Sequence, residues 1–285
     1  MSPSGTSRSW RLRGVEFLLD RPRIMGVVNV TPDSFSDGGH YKGAREAIEH
    51  GLRLIGEGAD LIDVGGESTR PGADPVPAEE ELRRVLPVVE GLAAAGVLVS
   101  IDTSKASVAI SAVQAGAVIV NDVTALGDPD MAAVVADQEA GLVVMHMQGN
   151  PRTMQAEPRY DDVVAEVSGF LVERAAVAEA AGVERRSIAI DPGIGFGKTI
   201  DHNLALLRDL GVLADHGYPL LVGTSRKTFL GKITGRTSPE DLDLASAVSV
   251  ALAIERGADI LRVHNVTACK EAALLAFAIV RGSGG

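Results

Sequence analysis

Residues able to bind or polarise a ligand recur along this chain of 285 residues, each at or just after the C-terminal end of a short apolar run. They are carboxylates and amides, which accept hydrogen bonds, and cations, which attract anions. Their regular recurrence indicates that one architecture positions all of them. In chain order they are Asn29, Asp63, Glu67, Asp102, Asn121, Asp122, His146, Asp191, Ser225, Arg226, Lys227, Arg262, His264 and Asn265.

Eight apolar runs rich in Val and Ile carry these residues, with helical segments between them. RIMGVVNVT from Arg23, VLVSIDTS from Val97 and ILRVHNV from Ile260 are three of the runs. The intervening segments repeat apolar residues every three or four positions, and several end at a glycine, as helices commonly do. Eight strand and helix units in series, with strands apolar on both faces, predict a parallel sheet covered by helices, most economically a closed (β/α)8 TIM barrel.

The length of the chain fits one barrel of this kind, which needs about 250 residues, so we expect a single domain over residues 1–285. Residues 1–20 form an extension before the first unit. Within it, WRLRGVEFLLDRP alternates apolar and polar residues around Gly14. This pattern predicts a short N-terminal β-hairpin that caps the bottom of the barrel.

Charge and composition restrict the class of partner. The 38 acidic residues against 27 basic ones give a net charge of −11, and no basic stripe of the kind that binds nucleic acid is present. An anionic ligand would therefore have to be bound by a few local cations. The chain has no apolar run of about 18 residues and no signal-peptide pattern, and its single cysteine, Cys269, cannot form an internal disulfide. We expect a cytoplasmic protein without membrane or nucleic-acid partners.

In a TIM barrel the C-terminal ends of the strands and the loops after them form the ligand-binding face, so the polar residues gathered above are predicted to meet there. Two long loops, TPDSFSDGG after the first strand and GGESTRPGADPVP after the second, are rich in Gly and Pro. Solvated connections often have this composition, but Asp33 and Arg70 within the loops favour a lid that completes the site.

The sequence resembles the dihydropteroate synthase family from about Arg23 to Val266. The motifs that carry the resemblance occur in family order at successive predicted strand ends: MGVVNVTPDSFSDGG, IDVGGESTRPG, SIDTSK, VIVNDV, MHMQGNPRTMQ, DPGIGFGK, LVGTSRK and RVHNV. The resemblance implies a transferase that joins p-aminobenzoate to 6-hydroxymethyl-7,8-dihydropterin pyrophosphate, giving 7,8-dihydropteroate and pyrophosphate in folate biosynthesis. It also implies Mg²⁺ as cofactor and a homodimer formed through helices late in the barrel.

The resemblance assigns the pterin ring to Asp102, Asn121, Asp191 and Lys227. A pterin presents a planar edge of amino and ring N–H donors, which buried carboxylates can accept, and an amide can bind both donors and acceptors. For Asp102 an alternative is the N-cap of the helix that follows it.

The resemblance assigns the pyrophosphate to Asn29, Thr69, Arg70, Arg262 and His264, with Asn29 as the Mg²⁺ ligand. Arg262 and His264 are alternate residues of one strand and therefore share a face. Turn formation is the alternative for Asn29. The implied p-aminobenzoate site comprises Thr69, Pro71, Phe196, Ser225 and Arg226.

The resemblance implies catalytic roles for Asp33, Arg70, Lys227 and Arg262. The alternative for Arg226 and Lys227 is a solvated first helical turn, although adjacent cations oppose the helix dipole there. The family more often has Asp where this chain has Asn265, which removes a charge that could orient His264. Two other functions stay open: a corrinoid-dependent methyltransferase with a similar pterin site, and a noncatalytic pterin-binding paralogue.

Overall fold

The computed structural model describes residues 8–30, 39–69 and 72–281, without the side chains of residues 39–42. The predicted hairpin is present: strands β1 (Ser9–Leu12) and β2 (Val15–Leu18) pair antiparallel through a turn at Arg13 and Gly14. The side chain of Trp10 is fully buried, and its Nε1 donates to the Ser187 carbonyl at 2.8 Å. The hairpin is thereby fixed to the barrel.

Eight parallel strands form the central sheet, and each corresponds to one of the predicted apolar runs. They are β3 (Arg23–Asn29), β4 (Leu61–Gly65), β5 (Val99–Asp102), β6 (Ile119–Asp122), β7 (Gly141–Met145), β8 (Ile188–Asp191), β9 (Leu221–Val222) and β10 (Ile260–Val263). Strands β3 to β8 pair in sequence, β10 pairs with β3, and β9 pairs with β10. A bridge between Ile190 and Leu220 joins β8 to β9. The strands thus form the predicted (β/α)8 barrel.

Helices follow the strands and cover the outside of the barrel. They are α1 (Gly39–Glu57), α2 (Ala78–Ala94), α3 (Ala106–Gln114), α4 (Met131–Asp137), α5 (Val163–Ala180), α6 (Ile200–Arg208), α7 (Leu210–Ala214), α8 (Thr228–Thr234), α9 (Asp243–Glu255) and α10 (Val266–Arg281). The glycines expected just beyond α1, α2, α3, α5 and α9 all have positive φ, as helix-terminating glycines do. None of the helices in the described ranges is both long and apolar enough to span a bilayer.

The two faces of the barrel strands differ in composition. Outward-facing residues such as Val64, Ile101 and Val120 pack in the main core with the helices. At the N-terminal end of the strands, inward-facing Leu61 and Ile119 pack against the hairpin, which closes this end with apolar side chains. Nearer the C-terminal ends the inward positions become polar. The assignment of residues 1–285 to a single domain stays a prediction.

Candidate active site

Arg262 lies at the centre of the polar end of the barrel. It points inward from β10, and its Nε donates to Asp63 Oδ2 at 2.6 Å while its Nη2 donates to Asp102 Oδ2 at 2.8 Å. Asp63 is 0% exposed and Asp102 is also buried, so the guanidinium supplies the charge and the hydrogen bonds that these carboxylates lose with water. Arg262 therefore connects three strands across the interior.

Asn121 extends this cluster to β6, next to Asp102 in the strand register. Its Nδ2 donates to Asp63 Oδ2 at 3.1 Å. Within the described ranges, Asn121 Oδ1, Asp63 Oδ1 and Ser100 Oγ are buried without a hydrogen-bond partner. Buried acceptors of this kind require a donor, so this part of the interior suits a ligand with several N–H groups.

Asp191, at the end of β8, is a third buried carboxylate beside Asp63 and Asp102. Its Oδ1 accepts the Gly193 N–H at 2.7 Å. Burial raises the pKa of Asp191 to about 6, which the Gly193 hydrogen bond and nearby cations only partly oppose. Burial likewise raises the pKa of Asp102 to about 7, because it outweighs the attraction of Arg262. Both carboxylates can therefore change protonation near neutral pH.

Lys227 lies in the same cluster, just before α8. Its Nζ is 3.9 Å from the centre of the Phe196 ring. Burial and the charge of Arg262 lower the pKa of Lys227 to about 8, while Asp191 and Asp102 oppose this shift. Lys227 thus interacts with both carboxylates, with Arg262 and with an aromatic wall.

Asn29 and His264 line the side of the mouth next to α1. They share a cavity of about 510 Å³ with α1 residues that include His50 and Arg53. A Cβ added to Gly65 would lie 3.6 Å from Asn29 Oδ1 and 3.6 Å from Asp102 Oδ2. Because glycine has no side chain, it leaves space between these two oxygen atoms, which could bind a cation. Across the described ranges, no three His, Cys, Asp or Glu side chains are grouped as metal ligands.

Ser225 and Arg226 follow β9 and make different contacts. Ser225 Oγ accepts the His264 backbone N–H at 3.2 Å and lies 3.1 Å from His264 Nδ1. Arg226 has φ 57° and forms a bidentate pair with Asp243, with bonds of 2.8 and 3.1 Å. Its side chain is therefore held at the start of α9, and Arg226 does not belong to a solvated first helical turn.

Asn265 also binds Asp243, through its Nδ2 at 2.8 Å, and its Oδ1 accepts the Ala268 N–H at 3.1 Å. It therefore caps α10. These bonds direct the Asn265 side chain to α9 and α10. That the missing charge at this position weakens the orientation of His264 stays a prediction.

The structure brings together most of the residues predicted from the sequence. Asp102, Asn121, Asp191, Lys227 and Arg262 meet at one end of the barrel, with Phe196, Asn29, His264 and Ser225 around them. The alternative for Asp102 is excluded, since α3 has Lys105 at its N-cap position and Asp102 binds Arg262. Thr69 is partly buried on the second loop. Asp33, Arg70 and Pro71 lie outside the described residues, as do the parts of both loops that would form the lid.

Two residues have a larger part in the site than the sequence pattern predicts: Asp63, which the pattern marks only as one polar residue near a strand end, and Lys198, which it does not single out. Asp63 was recognisable as a polar residue near a strand end, but its bonds to Arg262 and Asn121 depend on which strands face each other across the barrel. Asp122, with the same sequence signal, instead accepts the backbone N–H groups of Thr124 and Leu126 in a turn. Lys198 follows a glycine-rich loop, where a lysine is ordinarily a surface residue.

Known proteins share this fold. The profile of the family described as "Pterin binding enzyme" matches residues 25–264. The chain is 47% identical over 267 residues to a dihydropteroate synthase of Neisseria meningitidis serogroup C, a match that covers 92% of this chain and 94% of that protein.

Two solved structures are similar to this chain in both fold and sequence. The dihydropteroate synthase of Xanthomonas albilineans with 4-aminobenzoic acid has a TM-score of 0.91 and 51% identity, covering 97% of this chain and 99% of that one. The enzyme from X. albilineans in complex with 7,8-dihydropteroate has a TM-score of 0.86 and 49% identity, covering 95% and 99%. The chain belongs to the pterin-binding enzyme family. Within that family, the relatives described above are dihydropteroate synthases.

Proposed function

We propose that the protein joins p-aminobenzoate to 6-hydroxymethyl-7,8-dihydropterin pyrophosphate and releases pyrophosphate, a transferase reaction of folate biosynthesis. The observation that carries this proposal is the cluster of Asp102, Asn121, Asp191, Lys227 and Arg262 at one end of the barrel. The similar structures with 4-aminobenzoic acid and with 7,8-dihydropteroate support the same substrate and product.

Asp102, Asn121 and Asp191 bind the pterin in this proposal. Their side chains offer several acceptors to the amino and ring N–H groups of the heterocycle, and Lys227 covers the ring next to Phe196. A hydrogen bond to a charged group contributes about 1.5 to 3 kcal/mol, so each carboxylate should matter strongly for pterin affinity.

The pyrophosphate of the substrate lies near Arg262, His264 and Asn29, joined by Thr69 and Arg70 from the second loop. Arg262 and His264 supply positive charge or donors from one strand face. Asn29 would hold Mg²⁺, because its amide oxygen is a hard ligand and Gly65 leaves room beside it. When bound, Mg²⁺ neutralises charge on the departing pyrophosphate.

The p-aminobenzoate site is formed by Phe196, Ser225 and Arg226 together with Thr69 and Pro71. Phe196 provides an aromatic wall, and Ser225 provides a hydroxyl next to His264. Because its guanidinium is paired with Asp243, Arg226 acts here by shaping the loop and not as a free cation.

The reaction breaks the bond between the exocyclic carbon of the pterin and the pyrophosphate oxygen, and forms a bond from that carbon to the amine nitrogen. The amine then loses one proton. No covalent bond to the protein is needed, so positioning and electrostatic stabilisation by Arg262 and Lys227 carry the catalysis. Asp33 and Arg70 act from the two loops, where they close the site over both substrates.

The deciding experiment measures pyrophosphate release from the pterin pyrophosphate with and without p-aminobenzoate. We expect release that depends on p-aminobenzoate and gives an equal amount of 7,8-dihydropteroate by chromatography. Arg262→Met should abolish turnover. Its matched control is Arg256→Met, which makes the same change at an arginine outside the site and should leave turnover unchanged. Pterin binding without turnover would favour the noncatalytic paralogue, and binding of cobalamin would favour the corrinoid methyltransferase.

Exposed apolar side chains on the last helices suggest how copies of the chain associate. Leu244 on α9 is 77% exposed and Ile279 on α10 is 74% exposed, with Val248, Leu252 and Leu275 on the same two helices. Val250 and Ala253 of α9 instead pack in the core. We propose a homodimer through this Leu and Val surface. A cytoplasmic location stays a prediction.

A further inference from the structure

Two loops at the mouth of the barrel lie in direct backbone contact. One follows β7 and begins at His146, and the other follows β8 and runs from Pro192 to Lys198. A Cβ on Gly193 would lie 1.9 Å from the His146 carbonyl oxygen, and one on Gly197 would lie 2.6 Å from the Gln148 carbonyl oxygen. Both glycines also have positive φ, at 63° and 61°. No larger residue fits, so the relative position of the loops is tightly constrained.

Lys198 joins these two loops from inside. It is only 3% exposed, and its Nζ donates to His146 Nδ1 at 2.9 Å and to the Phe196 carbonyl at 2.9 Å, with the His146 carbonyl at 3.4 Å. Three acceptors thus surround the Nζ, all of them from the two loops. Burial lowers the pKa of Lys198 to about 7, and the attraction of Asp191 only partly opposes this shift. Burial and Lys198 lower the pKa of His146 to about 3, so the ring is neutral near pH 7 and its Nδ1 can accept this bond.

The His146 ring is itself fixed by aromatic neighbours. It packs edge-on against Phe170 of α5, with ring centres 4.9 Å apart, and at a tilt against Tyr160 at 6.0 Å. Tyr160 in turn donates through its hydroxyl to the Gly197 carbonyl at 2.8 Å. The acceptor for Lys198 therefore belongs to a rigid wall of the protein.

The loop that Lys198 fixes carries one residue of the site and follows another directly. Phe196 lies within the loop against Lys227, and Asp191 precedes the loop at the end of β8 and accepts the Gly193 N–H. Asp102 and Asn121 are held separately by the bonds of Arg262 and Asp63. Loss of the Lys198 contacts should therefore act on Phe196 and its surroundings more than on the rest of the pterin site.

We propose that Lys198, with His146 as its acceptor, is a positioning residue that sets the place of Phe196, which lies against Lys227, for the amine substrate. A purely structural lysine would affect stability alone. Burying an ammonium group is unfavourable, and an apolar side chain of similar length would fill the space without that cost. This inference rests on the proposed function, because it takes Phe196 as part of the p-aminobenzoate site.

The test compares Lys198→Met with Lys232→Met, which makes the same change at an exposed lysine of α8. For Lys198→Met we expect the KM for p-aminobenzoate to rise roughly tenfold or more, as loss of hydrogen bonds to a charged group implies, with a smaller change in the KM for the pterin pyrophosphate. Amide hydrogen exchange of residues 193–198 should also become faster. Lys232→Met should match the unmodified protein in both measurements.

A second pair of variants isolates the hydrogen bond. His146→Asn and His146→Leu have similar size and both remove the ring, but only Asn keeps an oxygen near the position of Nδ1. We expect His146→Asn to retain a KM for p-aminobenzoate much closer to that of the unmodified protein than His146→Leu does. Equal effects of Asn and Leu, or a Lys198→Met variant with a lower melting temperature but an unchanged ratio of the two KM values, would overturn the proposal.

Hydrogen exchange separates this proposal from the proposed function. If the unmodified protein gave no product, the proposed function would fail by itself. Unchanged exchange of residues 193–198 in Lys198→Met would count against the positioning role whatever the activity, since the role requires those bonds to hold the loop.

Discussion

A carboxylate inside a barrel ionises only where its surroundings replace the water that it has lost. Asp102 and Asp191 show the balance at this site, because burial raises the pKa of Asp102 to about 7 and that of Asp191 to about 6 despite nearby cations. In the proposed site their ionised forms accept the N–H groups of a pterin, whereas their protonated forms do not accept them equally well. The proposal therefore makes pterin recognition depend on the protonation of two side chains.

We expect pterin affinity to rise between pH 5 and pH 8, because both carboxylates lose their protons in that interval. Asp191→Asn should weaken binding by roughly 10- to 100-fold at pH 8, as loss of a charged hydrogen bond implies, and should flatten the pH dependence. Calorimetric titration of 6-hydroxymethylpterin into the two proteins across the interval measures both effects. Equal affinity of the unmodified protein at pH 5 and pH 8 would contradict this assignment.

The same pKa values determine how stability changes with pH. A carboxyl group with a pKa higher in the folded than in the unfolded state stabilises the fold below the unfolded pKa, near 4, and this contribution is lost as pH rises through the folded value. Asp102 and Asp191 should therefore make the ligand-free protein less stable as pH rises from about 4 to about 7. Bound pterin would offset that loss, because it uses the ionised forms.

Among the structural elements, the N-terminal hairpin has the clearest separate role. Trp10, Leu12 and Phe17 pack with inward-facing residues at the N-terminal end of the barrel strands, opposite the site. The hairpin should therefore contribute to stability without contributing to chemistry, as expected for this end of a TIM barrel.

Trp10→Ala should lower the free energy of unfolding by about 3 to 5 kcal/mol, because it leaves a cavity and removes the bond to Ser187. Val15→Ala, at an exposed position of the same hairpin, should change it by less than about 0.5 kcal/mol. Urea unfolding measures both values. If Trp10→Ala instead changed kcat/KM strongly at a temperature where it is fully folded, the separation of roles would be wrong.

The sequence predicted the elements better than the contacts between them. Strand and helix order followed from apolar periodicity, and the hairpin followed from alternation around Gly14. By contrast, β9 has only two paired residues, although its apolar run is as long as the others. The bonds from Arg262 to Asp63 and Asp102 join residues 199 and 160 positions apart, and no local pattern encodes them. Lys198 was missed for a similar reason, since its burial arises from the packing of two loops.

At the scale of the whole molecule, several exposed apolar side chains of the described residues lie together on α9 and α10. In a symmetric dimer each residue of such a face is buried twice, at about 1.5 to 3 kcal/mol for each leucine. Leu244→Glu should therefore weaken association by at least about a hundredfold. Val177→Glu, at a 40% exposed position of α5, should leave association unchanged.

Sedimentation velocity over a range of protein concentrations measures this difference. A single species of monomer mass for the unmodified protein at micromolar concentration would exclude the dimer. A dimer that persists in Leu244→Glu would place the interface elsewhere on the molecule.

The N-terminal hairpin and the inward-facing apolar side chains of the strands fill one end of the barrel, so the polar pocket opens at the opposite end. Asp102 and Asn121 are buried in this pocket, whereas Phe196 and Thr69 are partly exposed. In the proposed binding mode the heterocycle therefore has to bind before the aryl amine, and a bound amine blocks its way in or out.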